Sequence, residues 1–208
     1  MQPRRFLFLD LDDTIFRSDI PYESFSKLFD ILDEVNEVLP ANELPKVKQE
    51  LYNQTFGKVA KRYAFTPRMI RAYFSRMEQL SFEFNISPFS DYSIIQSLNL
   101  PKYLVTSGSR IIQQAKIDSL GIAEDFASIH FDDPFAGSNG KQGIFKLLLD
   151  EIPCNPNEAL VIGDNPDAEI HAARMLNIPY VLIDRKMEQP FSASARSING
   201  FEHISHFL

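Results

Sequence analysis

Short runs of apolar residues recur along the chain, and most of them show no alternation with polar residues. Strands of a parallel sheet are covered on both faces, so consecutive apolar positions indicate buried parallel strands. The runs are FLFL (6–9), KYLVT (102–106), SIHF (128–131), ALVI (159–162) and YVLI (180–183). The pattern therefore predicts five strands, four of them after residue 100.

Helical patterns fill the intervals between the later runs. Residues 110–120 and 141–151 carry apolar residues at helical spacing, and the first of these segments stops at Gly121. A third helix is predicted over 166–176, with Asn165 as its cap and Pro166 in its first turn. Strands that alternate with helices predict an α/β fold, a doubly wound Rossmann-like parallel sheet.

About 70 residues separate the first strand from the second, and their pattern is helical. Thr66-Pro67 predicts the start of one helix. An earlier stripe at spacings of three and four, which begins at Phe25, predicts another that ends at Pro40. Residues 17–89 are therefore predicted to form an inserted helical cap domain, and 1–16 with 90–208 the core domain.

Composition and charge narrow the class of protein. The chain has 208 residues, 44% of them hydrophobic, and a net charge of −7, which argues against a general nucleic-acid binder. No apolar run approaches the ~18 residues that cross a membrane, and the N-terminal run is too short for a signal peptide. A single cysteine, Cys154, excludes an internal disulfide, so we expect a cytoplasmic protein. Its sequence context makes a cysteine nucleophile improbable.

Three aspartates follow the first strand in FLFLDLDDTIF (6–16). Side chains alternate along an extended chain, so Asp10 and Asp12 are expected on one side and Asp13 on the other. Neighbouring carboxylates repel each other, and Mg²⁺ compensates them well because it prefers carboxylate, phosphate and water oxygens. An acidic loop without function is the alternative interpretation.

Three further stretches lie where a strand gives way to a helix or where a helix begins. TSGS (106–109) offers hydroxyls and Gly108 at a helix start, where backbone amides can hold a phosphate. SNGKQGIF places Lys141 at a helix start, against the preference of the helix dipole, which suggests a nearby anion. VIGDNPDAEI places Asp164 after a strand and Glu169 in the following helix. Ordinary helix capping and a surface lysine are the alternatives.

Taken in order, these stretches resemble the four motifs of the haloacid dehalogenase superfamily. DLDDT is similar to its Asp-x-Asp-x-Thr motif, YLVTS to its second motif, Lys141 to its third and GDNPDAE to its fourth. The resemblance covers residues 6 to 185. Lys141 is followed by Gln142, where the family often has proline.

The resemblance implies a role for each of these residues. Asp10 would be the nucleophile that forms an aspartyl-phosphate, and Asp12 the general acid and base. Mg²⁺ would be held by Asp10, the backbone carbonyl of Asp12, Asp164 and Glu169. The phosphoryl group would be bound by Thr106 or Ser107, with Gly108 allowing close approach. Lys141 would neutralise the charge of Asp10 and of the phosphate.

The predicted function is therefore a magnesium-dependent phosphatase for a small phosphorylated metabolite, in a monomer or a homodimer. Haloacid dehalogenases need no acid at position 12, so Asp12 favours phosphoryl chemistry. A phosphomutase would share every motif, and a non-catalytic phosphate- or partner-binding member is the other alternative. A response-regulator receiver is too short to explain the helical insertion.

The insertion carries a basic stretch. No acid occurs between Leu51 and Met77, whereas six lysines and arginines do: Lys58, Lys61, Arg62, Arg68, Arg71 and Arg76. One hypothesis is that part of this face attracts an anionic substrate, and a solvated helix face is the alternative. Tyr63, Phe65 and Tyr73 are expected in the core of the cap. A metal site at His203 and His206 is not expected, and His130 and His171 are expected to pack or face solvent.

Overall fold

The computed structural model describes residues 3–133, 137, 139–152, 155–188, 191–192 and 196–208. Cys154 lies outside these residues. The chain divides into two compact units, Met1–Ser18 with Asn85–Leu208 and Asp19–Phe84. The division falls a few residues from the domain limits predicted at 16/17 and 89/90. No helix in the described part of the chain is long and apolar enough to cross a membrane.

The first unit contains a twisted sheet. Within the described residues seven strands form it, in the order β3-β2-β1-β4-β5-β7-β6. The strands are β1 (Phe6–Leu9), β2 (Lys102–Ser107), β3 (Ser128–Asp132), β4 (Ala159–Gly163), β5 (Tyr180–Ile183), β6 (Phe191–Ser192) and β7 (Ser197–Ile198). All neighbours pair in parallel except β6 and β7. The five predicted strands are confirmed, and β6 and β7 were missed because two residues carry no periodic pattern.

β1 lies in the centre of the sheet, between β2 and β4. All four of its residues are buried, as expected for a strand covered on both faces. On one face Phe8 stacks on Phe145 with ring centroids 5.6 Å apart. Burying such aromatic side chains contributes roughly 1.5–3 kcal/mol each. The packing of β1 therefore fixes the position of the residues that directly follow it.

Helices of this unit are α5 (Tyr92–Ser97), α6 (Arg110–Leu120), α7 (Gly140–Glu151) and α8 (Glu169–Met175). Short 3₁₀ helices span Ala123–Asp125, Pro156–Glu158 and Phe201–His206. The predictions for α6 and α7 are confirmed, whereas α8 begins three residues later than predicted. Asn165 accepts from the Asp167 amide at 2.9 Å, and this turn takes the place of the first helical turn. The fold is the predicted α/β Rossmann-like fold.

The second unit is helical. A 3₁₀ helix (Tyr22–Phe25) precedes α1 (Ser26–Val35), and α2 (Leu44–Asn53), α3 (Phe56–Arg62) and α4 (Pro67–Met77) follow. The start of α4 is as predicted, because Thr66 Oγ1 accepts from the Met69 amide at 3.0 Å. The predicted first helix runs too far. It ends at Val35, where Asn36 bonds to the backbone of Leu39 and closes a turn.

The basic stretch of this unit is partly neutralised by acids from outside it. Arg62 pairs with Glu50, Arg68 with Glu37 and Arg76 with Glu34. Lys58, Lys61 and Arg71 are exposed and form no ion pair with any described residue. Phe65 and Tyr73 are buried, as predicted for the core of the insertion. Tyr63 is half-buried and donates to Glu50 at 2.9 Å.

Candidate active site

The carboxyl end of β1 presents two aspartates. The Asp10 amide donates to the Ile162 carbonyl of β4 at 3.0 Å, which continues the strand pairing by one residue. Leu11 is fully buried between the two acids. Asp13 adopts a left-handed conformation (φ 53°), and its carboxylate accepts from the amide and hydroxyl of Ser18 at 3.1 and 2.5 Å. The side chain of Asp13 is thus bound within the loop itself.

Three carboxylates, that of Asp10 among them, meet at the carboxyl end of β1. Oxygen atoms of Asp10, Asp164 and Glu169 all lie within 4.8 Å of one another, and Asp10 and Glu169 are buried. β1 supplies Asp10, the loop after β4 supplies Asp164, and Glu169 opens α8. The Asn165 amide donates to Glu169 at 3.2 Å and holds its side chain in the loop. Three predicted site residues from separate parts of the chain are therefore brought together.

Gly163 makes room for this group. A Cβ atom on Gly163 would lie 2.7 Å from Cγ of Glu169, closer than real contacts allow. Glycine at the end of β4 is therefore required for Glu169 to lie over the strand. Close approach to a neighbouring group is a common reason for glycine inside a strand.

Lys141 is the cation of the site. It is buried at the start of α7, and its ammonium group donates to Asp10 at 2.5 Å and also to Glu169. Burial alone would lower the pKa of Lys141, but the charges of Asp10 and Glu169 raise it to about 12. The predicted anion beside this lysine is therefore a pair of carboxylates, and the lysine stays protonated.

The carboxylates outnumber this cation. Burial raises the pKa of Asp10 well above its usual value, and Lys141 only partly opposes this while Glu169 and Asp12 add to it. Burial, Glu169 and Asp13 raise the pKa of Asp164 to about 6. When all three carboxylates are ionised beside the one ammonium group, two negative charges remain. An all-oxygen site with this charge suits a hard divalent cation.

Asp12 has different partners. Its carboxylate lies outside the group of three and accepts from Lys116 at 2.6 Å and from Gln113 at 2.7 Å, both on α6. The Asp12 side chain is 29% exposed, whereas that of Asp10 is 6% exposed. Asp12 still lies close enough to raise the pKa of Asp10. One aspartate thus faces the carboxylate group, and the other is accessible from solvent.

The end of β2 holds the predicted phosphate-binding residues. Thr106 is fully buried and accepts from Gln113 at 2.5 Å, so it shares a partner with Asp12. Ser107 is exposed and donates to Asp132 of β3 at 2.9 Å. Gly108 follows with φ 131°, a conformation that favours glycine. Of the two hydroxyls that the sequence could not separate, Thr106 contacts the site and Ser107 is bound by the neighbouring strand.

Arg185 supports the loop after β1. Its guanidinium donates to Asp91 at 2.5 Å and to the Thr14 carbonyl at 2.8 Å, and it lies over the rings of Phe89 and Phe201 at 4.0 and 4.7 Å. The hydroxyl of Thr14 is buried without a described hydrogen-bond partner, and the carbonyl of Thr14 is the group that Arg185 holds.

Sequence reasoning missed Gln113, Lys116, Gly163 and Arg185. A signal existed for Gln113, because it shares the buried face of α6 with Ile117 and Leu120 at helical spacing. A polar residue on such a face needs a partner, which the sequence does not identify. The described residues contain no potential metal-binding group that includes a histidine.

The fold and the site define the class: an α/β enzyme with an acid-lined centre at the carboxyl end of its sheet. The chain belongs to the haloacid dehalogenase-like hydrolases, whose family model matches residues 7–183. It is 27% identical over 82 residues to a phosphoserine phosphatase from Thermus thermophilus, and that stretch spans 39% of this chain and a third (33%) of the relative.

Solved structures support the same fold. The HAD-hydrolase YfnB from Bacillus subtilis, bound to magnesium, aligns over 100% of this chain and 99% of its own with a TM-score of 0.61 and 18% identity. The 2-haloacid dehalogenase from Pseudomonas syringae aligns over 98% and 97% with a TM-score of 0.63 and 14% identity. At these identities the likeness concerns the fold.

Proposed function

We propose that this hydrolase is a magnesium-dependent phosphatase that cleaves a small phosphate monoester through an aspartyl-phosphate. The observation that carries the proposal is the pair formed by Asp10 and Asp12. Asp10 is buried among carboxylates and a lysine, and Asp12 is accessible and bound by separate donors. A nucleophile and a separate proton carrier are what a two-step displacement needs.

The first step forms the covalent intermediate. A carboxylate oxygen of Asp10 attacks phosphorus, the bond from phosphorus to the ester oxygen breaks, and Asp12 gives a proton to the departing alkoxide. In the second step water attacks the phosphorus and Asp12 takes its proton. The bond from phosphorus to Asp10 then breaks and inorganic phosphate leaves. Asp10 ends as a carboxylate and Asp12 carries a proton again, as at the start.

Positive groups and hydroxyls stabilise the transferring phosphoryl group. Lys141 already contacts Asp10, so it lies beside the oxygen that receives phosphorus. Thr106, at the neighbouring strand end, offers a hydroxyl, and Gly108 offers an amide without a side chain. Ser107 is a weaker candidate because Asp132 holds its hydroxyl. Charge in phosphoryl transfer spreads over the oxygens, so such donors are where stabilisation arises.

The residues that would hold Mg²⁺ are Asp10, Asp164 and Glu169, with the backbone carbonyl of Asp12. The charge of the carboxylate group fits this ion, and a structural relative binds magnesium. When bound, the ion would neutralise phosphate and nucleophile charge. Lys141 would then share the neutralisation of Asp10 rather than supply it alone.

Asp12 also favours phosphoryl transfer over dehalogenation, although one structural relative is a 2-haloacid dehalogenase. Dehalogenation leaves a halide, which needs no proton, whereas an alkoxide leaving group does. The phosphoserine phosphatase relative supports a small phosphorylated metabolite as substrate, since it acts on an ester of that size. The exposed Lys58, Lys61 and Arg71 of the helical unit are candidates for attracting such an anion.

The test measures inorganic phosphate released from a panel of phosphate monoesters, with and without Mg²⁺. Wild type should show magnesium-dependent turnover that Asp10→Asn abolishes and that Asp118→Asn, an exposed acid on α6, retains. Halide release from 2-chloropropionate without phosphate release would contradict the proposal. Phosphate transfer between two hydroxyls of one sugar, without release, would indicate a mutase.

A further inference from the structure

Helix α6 brings two donors to one carboxylate. Gln113 Nε2 lies 2.7 Å from Oδ2 of Asp12, and Lys116 Nζ lies 2.6 Å from Oδ1. The two residues are three positions apart, so they share one face of the helix. Both oxygens of Asp12 are therefore held by the same rigid element, which leaves the carboxylate little freedom to rotate.

Lys116 is itself held in place. Its side chain is 12% exposed, and its ammonium group lies 5.8 Å from the centroid of the Phe16 ring. Phe16 is fully buried and pairs with Asp12 through an isolated bridge in the loop after β1. A cation between a carboxylate and an aromatic face is stabilised by both. The loop and the helix thus fix the same ion pair.

The orientation of Gln113 follows from its neighbour. The ion pair with Lys116 involves the ionised form of Asp12, which the proposed reaction produces between its two proton transfers, and an ionised carboxylate only accepts hydrogen bonds. The amide must therefore present its NH₂ group to Asp12, since its oxygen would be repelled. The same nitrogen lies 2.5 Å from Oγ1 of Thr106, so its second hydrogen goes to that hydroxyl.

This arrangement decides what Thr106 can do. Its oxygen accepts from Gln113, and among the described residues none accepts a hydrogen bond from this hydroxyl. The hydroxyl hydrogen is therefore available to donate to an anion at the end of β2. Gln113 is 2% exposed, and its Cγ would lie 3.5 Å from a Cβ on Gly108, so its side chain is confined beneath the predicted phosphate-binding turn.

We propose that Gln113 and Lys116 are positioning residues of this site. Gln113 turns the Thr106 hydroxyl into a donor for the phosphoryl group and aligns Asp12, whereas Lys116 aligns Asp12 alone. This inference rests on the proposed phosphatase function. It assigns to one helix both the orientation of the phosphate-binding hydroxyl and that of the proton carrier.

The test compares Gln113→Leu, Lys116→Met and Lys116→Arg, with Gln114→Leu as control. Gln114 is the next residue of α6 and bonds only to Asp118 among the described residues. The first readout is the Kd of inorganic phosphate with Mg²⁺, measured by calorimetry without turnover. We expect Gln113→Leu to raise this Kd about tenfold or more, since misplacing a binding group is costly, and the control to leave it unchanged.

The second readout is the dependence on the leaving group. Lys116→Met should lower kcat/KM, which reports the step that expels the leaving group, about tenfold to hundredfold for 2-glycerophosphate. It should lower kcat/KM much less for p-nitrophenyl phosphate, whose leaving group needs little protonation. Lys116→Arg should restore most of the rate, because it keeps a charged donor. A general loss of folding would lower the rate equally for both substrates. Lys116→Arg would not restore a rate lost in that way.

The outcomes separate this inference from the proposed function. In one outcome wild type turns over substrate, while Gln113→Leu keeps the phosphate Kd and Lys116→Met keeps the kinetic constants of wild type. That result would overturn the inference and leave the proposed function standing. Absence of wild-type turnover with a raised phosphate Kd in Gln113→Leu would overturn the function and support the role of Gln113. If wild type shows no turnover and binds no phosphate, both the proposed function and this inference are overturned.

Discussion

Replacing Lys141 by methionine should strongly destabilise the Rossmann-like unit. Methionine keeps most of the apolar stem but removes the charge that Asp10 and Glu169 share. All three side chains are almost fully buried, so the variant leaves two carboxylates without their cation. Breaking a buried ion pair in this way costs about 3–5 kcal/mol. That is a large share of the roughly 5–15 kcal/mol that holds a domain together.

The loss should depend on pH with a defined sign. Burial already raises the pKa of Asp10, and Lys141 opposes this, so the variant raises that pKa further. An acid whose pKa is raised by folding destabilises the folded state as pH rises through the interval between its unfolded and folded pKa values. The penalty should therefore be small near pH 5 and large near pH 8. The pKa of Lys141, about 12, lies above this window.

The free energy of unfolding is best measured by urea titration with hydrogen exchange read on peptides of β1 and β4. This readout reports on the unit that holds the site, even where the helical unit unfolds separately. Lys146→Met is the matched control, since Lys146 is exposed on the same helix and forms no ion pair within the described residues. Mg²⁺ should recover part of the loss in Lys141→Met by neutralising the same carboxylates.

Two results would refute this reasoning. One is a destabilisation by Lys141→Met within about 1 kcal/mol of the control at pH 8, the usual range for surface changes. The other is a larger penalty at pH 5 than at pH 8. Either would mean that the buried charges at β1 are neutralised by something other than Lys141.

Three further predictions concern the metal, the glycine and the helical unit. The affinity for Mg²⁺, measured by calorimetry, should rise as pH increases through about 6, because Asp164 must lose its proton to bind the ion; a flat profile would argue against Asp164 as a ligand. Gly163→Ala should lower the free energy of unfolding by about 1–3 kcal/mol through overpacking against Glu169, and it should weaken Mg²⁺ binding in the same calorimetry. An unchanged Mg²⁺ affinity would mean that Glu169 is no ligand. Arg71→Glu should raise KM for a phosphorylated substrate by about tenfold at low salt and by less at high salt. Arg68→Glu should raise KM less, because Glu37 already pairs with Arg68. Equal KM values for wild type and Arg71→Glu would refute the hypothesis that this face attracts the substrate.

The sequence alone determined five of the seven described strands and the order in which the site residues follow one another along the chain. Continuous apolar runs indicate strands buried on both faces, and the parallel arrangement brings their carboxyl ends to one edge of the sheet. Asp10 and Asp164 follow such runs and Thr106 ends one, so the proximity of the three follows from local pattern and topology. Helix limits were less certain where side chains bond to nearby backbone, as Asn165 and Asn36 do.

Only the tertiary structure decided which groups touch. The partners of Asp12 lie 101 and 104 positions away in the chain, and Lys141 lies 131 positions from Asp10. Hydrogen bonds depend on ångström distances between side chains, whereas sequence periodicity reports only the face of one helix or strand. The contacts that α6 makes with Thr106 and Asp12 therefore depend on packing that no local pattern encodes.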